Sequence, residues 1–226
     1  MHNLDVLFVI PSSSKKAYQK LKDLKFTAIE TPTWALLLAS SMKSFGFQSA
    51  ILDVEAEDLT DLQTIKRIKE TKARLICFVL YGQNPNSGTT SMIGAIDLAS
   101  KIKEEFIGGK ICFVGSHVSA LPEEVLNYKF VDFVLINEGV YALRDLLKTD
   151  LKNNLNKCQG IGFKDDENNK VFTKPGIIVP NDRMDIDLPG YAWELLPKKN
   201  KPLDLYRAHY WRSEEHTSEL QSPMYL

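Results

Sequence analysis

The chain of 226 residues lacks a long apolar run, a basic leader and an excess of one charge. Its longest apolar stretch, residues 75–81, is far shorter than the roughly 20 residues that cross a bilayer. The first residues, MHNLD, do not show the basic and then apolar layout of a signal peptide. A formal net charge of −1 provides no general attraction to nucleic acid or to anionic membranes.

Cysteine is also scarce, with three residues at widely separated positions, Cys77, Cys112 and Cys158. The odd number and wide spacing argue against a disulfide framework. Two of them lie within apolar runs, so they are predicted to be buried thiols of a cytoplasmic protein.

The last fifteen residues, 212–226, differ in character from the rest and read RSEEHTSELQSPMYL. The segment RSEEHTSELQS resembles the conceptual translation of a sequencing adapter, and the alternative is an ordinary polar tail. We therefore exclude 212–226 from the fold as a non-native tail and expect it to pack on nothing. We also expect the natural protein to continue past Trp211.

Apolar runs and helical patterns alternate through residues 1–150. Runs such as DVLFVIP and ARLICFVLYG are too short for buried helices and are typical of strands covered on both faces. Five such strands, each followed by a helical pattern, predict an α/β domain. Its core would be a five-stranded parallel, Rossmann-like (flavodoxin-like) sheet with helices on both faces.

The pattern changes in residues 151–211. CQGIGFKDDENNKVFTKPGIIV predicts a β-hairpin around a polar turn at 165–169. The following stretch is rich in proline and aspartate without periodicity. It is predicted to be an extended linker that lies on a neighbouring domain.

Ligands of open parallel sheets bind beyond the carboxyl ends of the strands, so the residues that follow each strand are the candidate site. They are Pro11 and Ser12 after the first strand; Gly82, Gln83, Asn84, Asn86, Ser87, Thr89 and Thr90 after the third; Gly115, Ser116, His117 and Val118 after the fourth; and Glu138 and Gly139 after the fifth.

These loops do not match the common nucleotide motifs. No G-x-G-x-x-G follows the first strand, and Thr89 and Thr90 follow Gly88 where a P-loop has lysine. The third loop could contact a ligand through free N–H groups, or its hydroxyls could simply cap the next helix. His117 has no second histidine or cysteine nearby in the loop that would suggest a metal site.

The segment VGSHVSALPEEVL followed by DFVLINEG resembles the cobalamin-binding domain that precedes the radical domain of B12-dependent radical S-adenosylmethionine enzymes. Gly115, His117, Pro122-Glu123-Glu124 and Glu138-Gly139 match, whereas Val114 replaces a glycine and Val140 an acidic residue. The YGQNPNSGTTS loop and the DLPGYAWELLP segment are similar to one branch of that family.

This resemblance implies a sheet whose carboxyl edge faces the corrin ring of cobalamin, with residues 82–90 and 115–118 lining it. The Asp-x-His-x-x-Gly motif that supplies a cobalt ligand is absent after the first strand, which implies a His-off mode with the dimethylbenzimidazole also displaced. The [4Fe–4S] cluster and S-adenosylmethionine would belong to a missing radical domain downstream in the same chain.

A second class of function stays open, a nucleotide- or sugar-nucleotide-binding α/β domain such as half of a glycosyltransferase. The missing glycine motifs count against it. If the corrin passes over the backbone at Gly115, we expect Gly115→Leu to abolish cobalamin retention and to leave the fold intact.

Overall fold

The computed structural model describes residues 4–12, 29–82, 85–105, 108–197 and Tyr206. The strands are β1 Leu4–Ile10, β2 Ser49–Asp53, β3 Ala73–Leu80, β4 Lys110–Gly115, β5 Phe133–Leu135, β6 Ile161–Lys164 and β7 Lys170–Phe172. The helices are α1 Thr33–Ser44, α2 Asp61–Thr71, α3 Pro85–Glu105, α4 Ser116–Ala120, α5 Pro122–Leu126, α6 Val140–Lys148 and α7 Met184–Asp187. The predicted tail, 212–226, lies outside the described residues.

The strands form a single sheet in the order β2-β1-β3-β4-β5-β6-β7. Strands β1 to β5 pair in parallel, as predicted, and the flavodoxin-like strand order is confirmed. The sheet has seven strands and not five, because the hairpin β6–β7 continues it. Strand β6 pairs antiparallel with β5, with Phe133 opposite Phe163 and Leu135 opposite Ile161.

Helices cover both faces of the sheet, and each face has its own hydrophobic core. On one face, Val6 and Phe8 of β1 pack with α1 and α6. On the other face, Leu7 and Val9 pack with α2, α3, α4 and α5. Since successive side chains of a strand point to opposite faces, two buried faces produce the continuous apolar runs of the sequence. All three cysteine thiols are buried, which confirms the prediction made from the two that lie within apolar runs.

Helix α2 shows how local sequence signals position an element. Thr60 caps its first turn and forms a reciprocal capping box with Gln63. Ile65 and Ile68 are buried against the sheet, whereas Leu62 of the same helix is 81% exposed. Thr64, Ile65 and Ile68 thus form the buried face of this helix.

The segment after the hairpin returns to the face that carries α1. The Ala192 amide donates to the Leu36 carbonyl at 3.2 Å, and Lys43 pairs with Glu194 at 3.0 Å. Asp187, which is buried, accepts from Tyr141 and from Arg183. Arg183 is the largest cause of the lowered pKa of Asp187. Within the described ranges, none of the helices combines the length and hydropathy needed to cross a membrane.

Candidate functional site

Four parallel strands end at one edge of the sheet, at Ile10, Leu80, Gly115 and Leu135. The predicted site residues that the structure describes lie at or just beyond this carboxyl edge. Gln83 and Asn84 fall outside the described residues. Asn86 and Ser87 belong to the first turn of α3, and Thr89 and Thr90 follow in the same helix.

Two glycines of the predicted site allow α3 and β4 to approach β3 closely. A Cβ on Gly115 would lie 2.5 Å from the Leu80 carbonyl oxygen, and one on Gly88 would lie 2.8 Å from that same oxygen and 2.5 Å from Ser116 Oγ. The glycine at 115 is therefore required by packing within the sheet. This corrects the expectation that Gly115→Leu would leave the fold intact, because the new side chain would collide with backbone of the neighbouring strand.

Residues 116–120, expected to be loop, form helix α4 directly after β4. This places His117 against α3, with its Nδ1 3.3 Å from Thr89 Oγ1. The other ring nitrogen, Nε2, lies 4.0 Å from Glu124 Oε1 of α5. The His117 ring is thus held between two protein groups, and its side chain is only 16% exposed. Val118 is fully buried in the core beneath α4.

An aromatic pair that sequence reasoning missed borders the opposite side of the edge. Tyr81 follows β3 and donates from its hydroxyl to the Asn137 carbonyl at 2.6 Å. Trp34, in the first turn of α1, donates from Nε1 to the Glu138 carbonyl at 3.1 Å. The two rings lie 5.1 Å apart between centroids. Together they fix the loop between β5 and α6, which carries the predicted residues Glu138 and Gly139.

Ser119 links the two sides of the edge. Its Oγ accepts from the Asn137 amide at 2.9 Å, and it also hydrogen-bonds Tyr81. Burial is the main cause of the raised pKa of the Tyr81 hydroxyl, which keeps this tyrosine a neutral donor. The predicted loops after β3, β4 and β5 therefore form one connected polar rim.

The predicted residues after β1 contribute a buried hydroxyl. Pro11 is buried, and Ser12 Oγ is inaccessible to solvent and has no hydrogen-bond partner among the residues that the structure describes. A buried hydroxyl without a partner is costly, so a ligand group that hydrogen-bonds there would recover that cost. The side chains of a corrin ring end in neutral amides, which suit this hydroxyl and the carbonyl, hydroxyl and imidazole groups along the edge. The residues present therefore fit such a group.

Sequence reasoning also missed a carboxylate at the end of β2. Asp53 is 1% exposed and accepts from the Ala56 amide at 2.9 Å and from the Tyr206 hydroxyl at 3.0 Å. Burial raises the pKa of Asp53 to about 6, and nearby Glu55 and Glu57 act in the same direction. The signal in the sequence was an acidic residue at the carboxyl end of a strand, inside the run QSAILDVEA.

Comparisons with known proteins identify a family and solved structures of the same fold. A family model described as a B12 binding domain matches residues 23–147. The cobalamin-dependent S-adenosylmethionine radical enzyme OxsB, solved with aqua-cobalamin and S-adenosylmethionine, is 17% identical with a TM-score of 0.57, over 77% of this chain and 23% of that one. The radical S-adenosylmethionine methyltransferase TsrM from Kitasatospora setae, solved with cobalamin and a [4Fe–4S] cluster, is 14% identical with a TM-score of 0.57, over 80% and 30%.

At these identities the solved structures show a shared fold. The chain spans less than a third of their length, 23% of OxsB and 30% of TsrM. No curated protein matches the chain.

Proposed function

The chain belongs to the B12-binding domain family, and from this premise we propose that it binds cobalamin over the carboxyl edge of its sheet. The family match carries the proposal, since residues 23–147 include four of the five parallel strands and the loops after β3, β4 and β5. The groups that would hold the cofactor are the Ser12 hydroxyl, the start of α3 at residues 86–90, the β4–α4 junction at residues 115–118 and the β5–α6 loop at residues 137–139.

Bound cobalamin supplies a cobalt centre that carries and transfers a methyl group or electrons. The contribution of this chain is to bind and orient it. The close packing at Gly88 and Gly115 keeps the first turn of α3 near the strand ends, so its free N–H groups lie at the edge. Tyr81 and Trp34 hold the β5–α6 loop in place through carbonyl oxygens.

We further propose that cobalamin is held without a histidine ligand to cobalt. Residues 11–30, which include the loop after β1, contain no histidine. His117 is the histidine at the edge among the described residues, and its two ring nitrogens face Thr89 and Glu124. Both observations support a His-off mode.

The test is the visible spectrum of the chain reconstituted with hydroxocobalamin and, after reduction, with cob(II)alamin. We expect a base-off, His-off spectrum that is the same in the parent chain and in His117→Ala. A histidine-ligated spectrum that disappears in His117→Ala would refute the His-off mode. Failure of both proteins to retain cobalamin would refute the proposed function itself.

The parent protein is proposed to be a radical S-adenosylmethionine enzyme, whose [4Fe–4S] cluster and S-adenosylmethionine would be held by a domain downstream in the same chain. The segment after the hairpin supports this. Six large apolar side chains of this segment are between 43% and 66% exposed, Ile177, Ile178, Met184, Ile186, Tyr191 and Trp193. A surface of this kind marks a contact with another domain.

The discriminating observation is the natural reading frame past Trp211. We expect a Cys-x-x-x-Cys-x-x-Cys run there, the ligand pattern of such a cluster. In the whole protein, residues 177–193 should exchange amide hydrogens more slowly than in this chain alone. A downstream frame without the cysteine run would contradict this part of the proposal. We also propose a cytoplasmic location, which the three buried free thiols support.

A further inference from the structure

A second cleft, of about 640 Å³, lies at the amino edge of the sheet. It is bordered by Lys110 at the start of β4, Phe133 at the start of β5 and Lys164 at the end of β6. Strand β4 has six residues, which places this cleft roughly 20 Å from the carboxyl edge. It is therefore separate from the proposed cobalamin site.

The antiparallel direction of β6 explains why Lys164, at its carboxyl end, lies at the amino edge of the parallel strands. Strand β6 is antiparallel to β5, so its carboxyl end lies beside the amino end of β5. This brings Lys164 next to the loop between α5 and β5, where its Nζ donates to the Tyr128 carbonyl at 2.8 Å. The charge is thus fixed in position by the fold.

The cleft carries an excess of positive charge. Four lysines line it, Lys110, Lys129, Lys152 and Lys164, together with two aspartates, Asp132 and Asp166. Asp132 is already paired, with Lys110 at 3.0 Å and with Lys103 at 3.4 Å. Within the described parts of the chain, no carboxylate lies within 4.0 Å of the ammonium groups of Lys129, Lys152 or Lys164.

Stabilisation of a helix end does not account for these three lysines, of which Lys164 is held by the Tyr128 carbonyl. Cations often stabilise the last turn of a helix. Lys129 and Lys152, however, follow the ends of α5 and α6 by three and four residues, and Lys164 ends a strand. Burial is the main cause of the lowered pKa of Lys164; attraction to Asp132 acts in the opposite direction, and repulsion by Lys170 and Lys103 adds to the lowering. Clustered like charges destabilise a fold, and a bound anion offsets that cost.

We propose that this cleft binds a small phosphorylated anion with at least two negative charges. Ammonium groups act as point charges for phosphate oxygens. The volume lies within the usual range for small-molecule sites. Phe133, the aromatic residue in the lining, is buried and presents no face on which a base could stack. The lining therefore favours a phosphate-bearing group over a nucleobase.

The test is calorimetric titration of the full chain with inorganic pyrophosphate at low ionic strength. The double variant Lys129→Gln/Lys152→Gln removes two exposed charges from the cleft. The control Lys66→Gln/Lys174→Gln removes two exposed charges elsewhere and keeps the same net charge as the double variant. We expect the cleft variant to bind roughly fivefold to tenfold more weakly than the parent, and the control to bind within about twofold.

Equal affinities for the two double variants would overturn the proposal, because attraction would then reflect net charge alone. Absence of binding by the parent would overturn it as well. A polyglutamate peptide that binds the parent where pyrophosphate does not would assign the cleft to an acidic protein partner instead. Cobalamin retention should be the same in all three proteins, because the cleft is separate from the carboxyl edge. A loss of cobalamin binding would therefore count against the proposed function and not against the anion site.

Discussion

The buried carboxyl group of Asp53 is expected to make the stability of the fold depend on pH. Its raised pKa means that ionisation is costly in the native state. At pH values well below 3.8, the ordinary pKa, the carboxyl is protonated in both the native and the unfolded chain. Its ionisation then takes nothing from the free energy of unfolding. As pH rises from there through about 6, the unfolded chain ionises first and stability is lost.

The size of this loss follows from the shift, which is close to two pKa units. At about 1.4 kcal/mol for each unit, the native state should lose about 3 kcal/mol between acid and neutral pH because of Asp53. Asp53→Asn cannot ionise, but its amide still pairs with the Ala56 amide or with Tyr206. Rearranging one hydrogen bond costs about 1 kcal/mol at either pH.

Asp53→Asn should therefore be about 2 kcal/mol more stable than the parent near pH 8 and about 1 kcal/mol less stable near pH 3. Urea unfolding followed by circular dichroism at both pH values measures this. Asp182→Asn, at an exposed position, is the matched control and should show no such difference. An Asp53→Asn effect of the same sign and size at both pH values would refute the reasoning.

Three further changes test the packing around the site. Gly115→Ala should destabilise the fold by about 1–3 kcal/mol in urea unfolding, because its Cβ meets the Leu80 carbonyl; an unchanged midpoint would contradict the close approach. Tyr81→Phe should cost about 1 kcal/mol in thermal unfolding, since the hydrogen bond to Asn137 is lost; no change would show that bond to be unimportant. Asp187→Asn should remove stability at neutral pH but not in strong acid, because the lowered pKa of Asp187 means that its contribution disappears as pH falls below the ordinary value of 3.8.

The parallel part of the sheet could be predicted because its strands are covered on both faces. A run such as residues 75–81 has no polar alternation, and only a doubly buried strand of that length explains it. The attachment of β6 to β5 could not be predicted in the same way. Strand β6 follows helix α6 and could pair with the strand at either edge of the parallel sheet. The sequence does not indicate which of these edge strands is unpaired and available.

The site was predictable to the extent that topology determines it. Parallel strands end at one edge, so the loops after them meet there. The contact of Tyr206 with Asp53 spans 153 residues, and no local pattern indicates it. The role of Gly115 was misread because its Cβ direction follows from the register of Gly115 with Leu80, which only the paired strands define.

The central claim is that cobalamin lies over the carboxyl edge, and two variants in one helix test it. Thr89 is exposed in the first turns of α3, at the edge, and Glu104 is exposed near the other end of the same helix. Equilibrium dialysis against hydroxocobalamin should show retention by the parent chain and by Glu104→Trp, and a loss of at least about tenfold in affinity for Thr89→Trp. Circular dichroism confirms that each variant is folded. A folded Thr89→Trp that holds cobalamin as tightly as Glu104→Trp would contradict the account.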